Sequence, residues 1–320
     1  MRDRLPIIAT TVVCIIMYVA AGLHFDGFFS MRVLFNFLED NAFLGVIAVG
    51  LTFVILSGGI DLSVGAMVGC SGIMLAALVS KSGLHPLLAC LIVLAFGATL
   101  GLAQGTLIQK FKLSPFLVTL GGLFFCRGIG LSITRNPIQI ENDFFRRLDD
   151  MAISLPGKAS LPVTSLIWIT VLIIGFYIAK QTRFGRTTYA IGGNEASATL
   201  MGLPVARTKI LIYTLSGFCA ALGGVVFVLY TGSGNALSGS GLELDAIAAV
   251  VIGGTLLSGG YGSVLGSFLG VLILGIIQTA ISFDGTLSSW WTKIVIGVLL
   301  LAFILLQKGL ERSGTARTAS

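Results

Sequence analysis

"LSGGIDLSVG", residues 56–65, sets a carboxylate behind two glycines in the middle of a strongly apolar stretch. Before it runs "LTFVILSGG" (51–59) and after it "GAMVGCSGIMLAALV" (65–79). Both flanks read as helix at membrane depth, yet Gly58 and Gly59 weaken a helix and Asp61 is costly in hydrocarbon. A break here frees backbone amides and carbonyls, which membrane depth tolerates only inside protein or beside water. A charged Asp at a lipid-facing helix centre costs about 2.5–3.5 kcal/mol, which argues against lipid exposure. Asp61 therefore has three possible uses: bonding freed amides, capping the following helix, or facing an aqueous path. The reading is an all-α, polytopic membrane protein with Gly-broken helices.

Composition agrees. Of 320 residues 55% are hydrophobic and 11% charged, and the mean hydropathy is +0.99. A soluble domain carries about a quarter charged residues, so this chain has too little polar surface to cover a core in water. Cys14, Cys70, Cys90, Cys126 and Cys219 all lie in apolar runs without CxxC spacing, so neither a zinc site nor a disulfide framework is indicated. They read as structural thiols.

About 20 apolar residues cross a bilayer core. The expected spans are 5–23, 42–57, 64–80, 86–109, 115–134, 163–180, 210–230, 246–258, 261–281 and 290–307, about ten transmembrane helices in one domain, 1–320. The first has Arg2 and Arg4 before it but no small-residue cleavage site, and it reads as a retained helix. Two spans are short: 42–57 reaches about 24 Å as a helix and 246–258 about 20 Å.

Lys and Arg in short loops mark the cytoplasmic side. With the N-terminus inside, that set is Arg2, Arg4, Lys110, Lys112, Lys180, Arg183, Arg186, Arg207, Lys209, Lys308, Arg312 and Arg317, 12 of the 20 basic residues. Only Asp3, Glu195 and Glu311 accompany them, with Asp61 if it lies there. The opposite face is acidic: Asp26, Glu39, Asp40, Glu141, Asp143, Asp149, Asp150, Glu243, Asp245 and Asp284. Both termini are expected inside. The net charge of +6 then serves membrane orientation and anionic lipid rather than nucleic acid.

Two loops stand out. The outer one, 135–162, mixes charges and prolines. The inner one, 181–208, has the grammar of a short helix: Asn194 caps it after Gly192 and Gly193, Glu195 suits its first turn, and Gly202 with Pro204 ends it. Such a helix either rests on the lipid surface or docks into a partner protein.

The chain also repeats itself. "LSGGIDLSVGAMVG" (56–69) and "LSGGYGSVLGSFLG" (257–270) align without gaps at an offset of 201, with six identities in 14. A duplicated half, built on segments 42–80 and 246–281, is the construction of transporters, whose short Gly-broken segments mark the path. Asp61 has Gly262 as its counterpart, so the carboxylate is no requirement of the shared scaffold. Gly97, Gly101 and Gly105, and Gly262, Gly266 and Gly270, recur every four residues and read as close-packing faces. Arg127 either snorkels outward or pairs within the bundle, and Trp290, Trp291 and Lys293 read as an outer interfacial anchor.

No phosphate-binding G-x-x-x-x-G-K-[ST], nucleophile elbow or metal-spaced cluster is present, and His24 and His85 lie apart from any carboxylate group. The residues point to a transport component rather than an enzyme, with no cofactor and no metal.

"NAFLGVIAVGLTFVILSGGIDLSVG", "TRFGRTTYAIGGNEASATLMGL", "ELDAIAAVVIGGTLLSGGYGSVLG" and "FDGTLSSWWTKI" resemble the permease subunits of bacterial ABC importers for monosaccharides, in the ribose/xylose/galactose branch. Within that branch "FDGTLSSWWTKI" and the short C-terminus resemble the permeases of galactofuranose importers most closely. The resemblance implies a multi-pass protein of the bacterial inner membrane that lacks its own ATPase. It implies as partners a second homologous permease, two ATP-binding subunits or a tandem ATPase in two copies, and a periplasmic sugar-binding protein. It also implies that the inner-loop helix couples to the ATPase through Gly192, Gly193, Asn194, Glu195, Ala198 and Gly202, although Ser197 departs from the Glu-Ala-Ala pattern of other importers.

A sugar needs hydroxyl and amide partners rather than a charge partner. Ser57, Gly58, Gly59, Asp61, Ser63, Asn235 and Gln278 are therefore the candidate path residues. The rival reading is an ion-coupled secondary transporter or channel using Asp61 or Asp245.

Overall fold

The computed structural model describes residues 5–155, 159–286, 288 and 290–315. Arg2, Asp3, Arg4 and Arg317 of the inner set lie outside the described residues, as do the side chains of Lys308, Glu311, Arg312, Asp149 and Asp150.

The chain opens with α1 (Leu5–His24), then turns at Ser30, whose hydroxyl accepts from the Val33 amide at 3.3 Å to cap α2 (Met31–Asp40). α3 (Ala42–Leu56) leaves α2 at a bend of 55°. After the break come α4 (Val64–Ser80), α5 (Pro86–Lys110) and α6 (Pro115–Ile133). The last two start on proline, which tolerates the first helical position because its missing N–H needs no partner there. Residues 134–162 hold β1 (Ile138–Gln139), α7 (Asp143–Asp150) and the antiparallel hairpin of β2 (Ile153–Leu155) and β3 (Ala159–Leu161). α8 (Val163–Gln181) leads into α9 (Arg183–Gly193), α10 (Glu195–Leu200) and the long α11 (Val205–Thr231). β4 (Ser233–Gly234) pairs antiparallel with β1, followed by α12 (Leu242–Ile252), α13 (Val264–Asp284) and α14 (Trp290–Thr315).

Among the described residues six helices, α1, α5, α6, α8, α11 and α13, are long and apolar enough to cross a membrane, or seven if α2 and α3 are one bent span. Of the remaining expected spans, α4 has 17 residues, the described apolar stretch of α14 runs Trp290–Leu305, and α12 has only 11 because the second break begins at Gly253 and runs to Ser263. The amphipathic α2 and the two-turn α7 are additions, as is α9 before the coupling helix.

The short helices form the centre. Every residue of α3 except Phe43 is buried, walled by α8, α11, α12 and α13. α5 and α8 present exposed Leu91, Ile92, Ile173 and Ile174 outward, as lipid-facing or partner-facing helices do. The helical glycines of both stripes pack as their spacing predicts, whereas Gly262 lies before α13, in the second break, at φ +147°. A β-carbon on Gly97 would strike Ala221 and the Gly217 carbonyl of α11, and one on Gly270 would strike the Ala249 carbonyl of α12. The described cysteines are all free, with Cys90 half-buried and the other four buried.

Contacts sort the connections to two ends. At one end β1 meets β4, Ser80 Oγ donates to the Gln139 carbonyl at 3.0 Å, and Tyr230 bonds Asp40 at 2.9 Å. At the other end 181–204 packs under the breaks at 57–63 and 253–263.

Candidate functional site

The two duplicated turns meet. The Gly260 amide donates to the Leu56 carbonyl at 2.9 Å, joining the second break to the first. Gly58 and Gly259 occupy equivalent repeat positions and lie back to back: a β-carbon on Gly259 would stand 2.7 Å from the Gly58 nitrogen. Both hold positive φ, +76° and +84°, which only glycine adopts without strain.

Other groups freed by the breaks also find partners, as burial requires. Thr10 Oγ1 of α1 donates to the Ile252 carbonyl at 2.8 Å, and the Tyr189 hydroxyl of α9 donates to the Gly262 carbonyl at 2.9 Å. Tyr213 of α11 reaches the Ile60 carbonyl at 3.5 Å. Above the breaks, Thr52 Oγ1 and Ser267 Oγ pair at 2.7 Å between α3 and α13.

Asp61 is wholly buried in the first break. Its Oδ1 accepts from the Ser63 amide at 2.9 Å and from Ser63 Oγ at 2.6 Å, while Oδ2 accepts from Ser216 Oγ of α11 at 2.7 Å. The bonding of a freed amide, one of the three uses weighed above, is the one these contacts show. The residue at the N-cap of α4 is Ser63, two positions later. Among the described residues no cation lies within ion-pairing distance of Asp61. Gln104 of α5 stands on the far side, its Oε1 3.4 Å from Ser63 Oγ and its Nε2 buried without a partner. Ser216, Tyr213 and Gln104 complete this cluster. Sequence reading missed them because isolated polar residues in long apolar helices give no spacing that ties them to residue 61.

The remaining path candidates separate. Ser57 is buried and bonds the Val54 carbonyl at 2.7 Å. Asn235 is half-buried in the loop after β4, where its Oδ1 accepts from the Leu237 amide at 2.9 Å. Gln278 is half-buried late in α13. Neither joins the Asp61 cluster. Arg127, left open above, turns into the bundle and donates to the Ala236 and Ser238 carbonyls at 2.5 and 3.2 Å, tying α6 to the same loop. Lys293 is more than an anchor: its Nζ lies 2.7 Å from Asp245 Oδ1, while Trp290 and Trp291 remain exposed.

The inner loop folds as its sequence reads. Asn194 Oδ1 accepts from the Ser197 amide at 2.8 Å, capping α10, and Gly202 ends it at φ +73°. Glu195 reaches Lys209 of α11 at 2.7 Å. Ala198 differs from its neighbours: it is buried against Ile191 and Val205 and seats α10 on α9 and α11. The large apolar residues presented outward are Leu200 and Met201, 88% and 68% exposed, among exposed polar and small residues of the same loop. The two glycines also divide. A β-carbon on Gly193 would meet nothing, whereas one on Gly192 would collide with the backbone of both breaks.

Residues 33–304 match the family described as branched-chain amino acid transport system / permease component. Curated relatives match over nearly full length. The inner membrane ABC transporter permease protein YjfF of Escherichia coli K12 is 51% identical, covering 97% of this chain and 93% of the relative. The fructose import permease protein FruG of Bifidobacterium longum is 39% identical over 98% and 93%. The ribose import permease protein RbsC of Escherichia coli K12 is 37% identical over 87% and 86%. No solved structure matches the chain.

Proposed function

The chain belongs to this permease family, a multi-pass transport component rather than an enzyme, and from that premise we propose that it is the membrane permease of an ATP-driven monosaccharide importer. Relatives named for fructose and ribose import support the sugar class. The finer substrate we propose is galactofuranose, supported by the likeness of "FDGTLSSWWTKI" to permeases of that kind of importer. The protein would sit in the bacterial inner membrane with both termini cytoplasmic. It would pair with a second permease, take sugar from a periplasmic binding protein, and be driven by ATP-binding subunits docked on loop 181–208.

The observation that carries this reading is the tip of that loop. A capped helix held from behind by Ala198 and by the Glu195–Lys209 pair presents Leu200 and Met201 outward. Apolar side chains so displayed need either lipid or a partner, and the bonded, precise seating of the helix favours a partner. Asp61, bonded on both carboxylate oxygens, serves this scheme by fixing the first break rather than by binding sugar.

The test is reconstitution. The permease, co-expressed with its neighbouring ATP-binding and sugar-binding proteins, is placed in liposomes and uptake of labelled galactofuranose, ribose and fructose is measured. Uptake should require both ATP and the binding protein and should prefer galactofuranose. Uptake that collapses with an ion gradient at constant ATP would replace the importer by an ion-coupled transporter.

A further inference from the structure

We infer that Gly192 is the point at which the inner loop drives both halves of the repeat, by bare backbone contact with the hydrogen bond that joins them. The inference rests on the ATPase-docking reading of loop 181–208.

Three glycine-bearing segments converge here. A β-carbon on Gly192 would fall onto the Leu56 carbonyl oxygen and the Gly260 nitrogen, the acceptor and donor of the bond between the breaks, and 3.0 Å from the Leu56 carbonyl carbon. A β-carbon on Gly260 would stand 2.8 Å from Gly193 Cα, and one on Gly259 3.0 Å from Gly192 Cα. Main chain thus lies directly on main chain where Gly192 meets the two breaks. Side chains in contact absorb small displacements by changing rotamer, but closely packed backbone passes them on, since packed interiors shift between discrete arrangements rather than stretch. Displacing α10 therefore displaces Leu56 and Gly260 together. Tyr189, one turn earlier on α9, adds a tie to the second break through Gly262.

The surroundings are asymmetric in a useful way. Beside Gly260 and Tyr189 opens a cavity of about 510 Å³, also bordered by Phe176, Lys180 and Tyr261. At the first break Tyr213 packs closely, its hydroxyl lying 2.5 Å from where a β-carbon on Gly59 would stand. A push at Gly192 thus bears on a first break packed against Tyr213 and on a second break that borders this space. The repeat halves then move relative to each other, as alternation of access requires.

The experiment compares Gly192→Ala with Gly121→Ala, a glycine of α6 outside the inner loop, in the reconstituted complex, reading sugar transported per ATP hydrolysed. In Gly192→Ala the methyl must part Leu56 from Gly260. The ratio should fall within the roughly 5–150-fold range typical of a coupling free energy while ATP hydrolysis and subunit co-purification persist. Gly121→Ala, with nothing within 4 Å of its methyl, should keep the native ratio. Tyr189→Phe removes a tie without adding volume, and should lower the ratio in a protein that accumulates normally. It decides the matter if Gly192→Ala does not accumulate. A native ratio in Gly192→Ala, equal losses in both glycine variants, or, where Gly192→Ala does not accumulate, a native ratio in Tyr189→Phe would overturn the inference. The docking reading fails separately: Leu200→Asp with Met201→Asp would then leave co-purification of the ATPase intact.

Discussion

The Gly260 nitrogen and the Leu56 oxygen, 204 positions apart, form a backbone hydrogen bond that joins the two repeat turns. The repeat is only half symmetric at this point. Gly58 and Gly259, equivalent by sequence, do touch, but the reciprocal bond from Gly59 to Leu257 is absent and the Gly59 amide turns to Val54 at 3.0 Å. The asymmetry accounts for Asp61. The first break faces Ser216 and Ser63 and needs an acceptor for their hydroxyls, whereas the equivalent Gly262 lies against Thr255 and offers its carbonyl to Tyr189.

Asp61→Asn should accumulate close to normally, because the amide oxygen still accepts from Ser63 or Ser216. Asp61→Leu should accumulate poorly, since it leaves those buried donors unpaired at about 1–3 kcal/mol each. Membrane yield and thermal unfolding in detergent measure both, and equal stability of the two variants would remove the fixing role.

The Asp245–Lys293 pair predicts an unequal response. Asp245 is the more enclosed partner, with 12% of its side chain exposed against 51% for lysine. Asp245→Asn should cost about 1 kcal/mol or less, as for a surface ion pair. Lys293→Ala should cost more by stranding the carboxylate, and adding Asp245→Asn to it should restore part of the loss. Unfolding midpoints of the three variants test this. An ion-coupling role for Asp245 predicts instead that Asp245→Asn abolishes transport at unchanged stability.

At the inner loop, Leu200→Asp with Met201→Asp should leave the protein inserted and folded while ATPase co-purification falls at least tenfold. Glu195→Lys reverses a charge pair that steadies α10 and should weaken co-purification less. A bulky charged residue at Ala198 should disrupt the loop's own fold, because that site is buried. Limited proteolysis of 181–208 separates the two effects.

Reporter fusions at Lys110, Gly193 and Ser313 should report cytoplasm, and fusions at Asn142 and Gly234 periplasm. Asn142 and Gly234 lie at the end where β1 meets β4, and Gly193 lies at the other. A periplasmic signal at Gly193 would remove the ATPase dock and the transmission through Gly192 together.

Much of the architecture was legible in the chain because membrane insertion writes itself locally. Apolar length gave α4 as 64–80 to the residue and α3 and α5 to within one, and the Asn194, Glu195 and Gly202 signals gave α10. The amphipathic α2 escaped because its polar face lowers its hydropathy below that of a span, and α9 because its glycines hide it among loop residues. The register of the repeat marked the first break at Ser57 and the turn at 257–260, but the second break begins earlier, at Gly253, inside the expected span 246–258. What it could not give was which backbone atoms meet across them, since Leu56, Gly192 and Gly260 belong to distant segments and glycine carries no side chain to announce a partner. Nor could it place Ser216 beside Asp61, or show that Ala198 faces inward and Leu200 outward on the same short helix. Sequence fixes where a helix runs because hydropathy and capping act over one turn; which polar groups meet inside it is decided only when packing brings together helices that the chain keeps far apart.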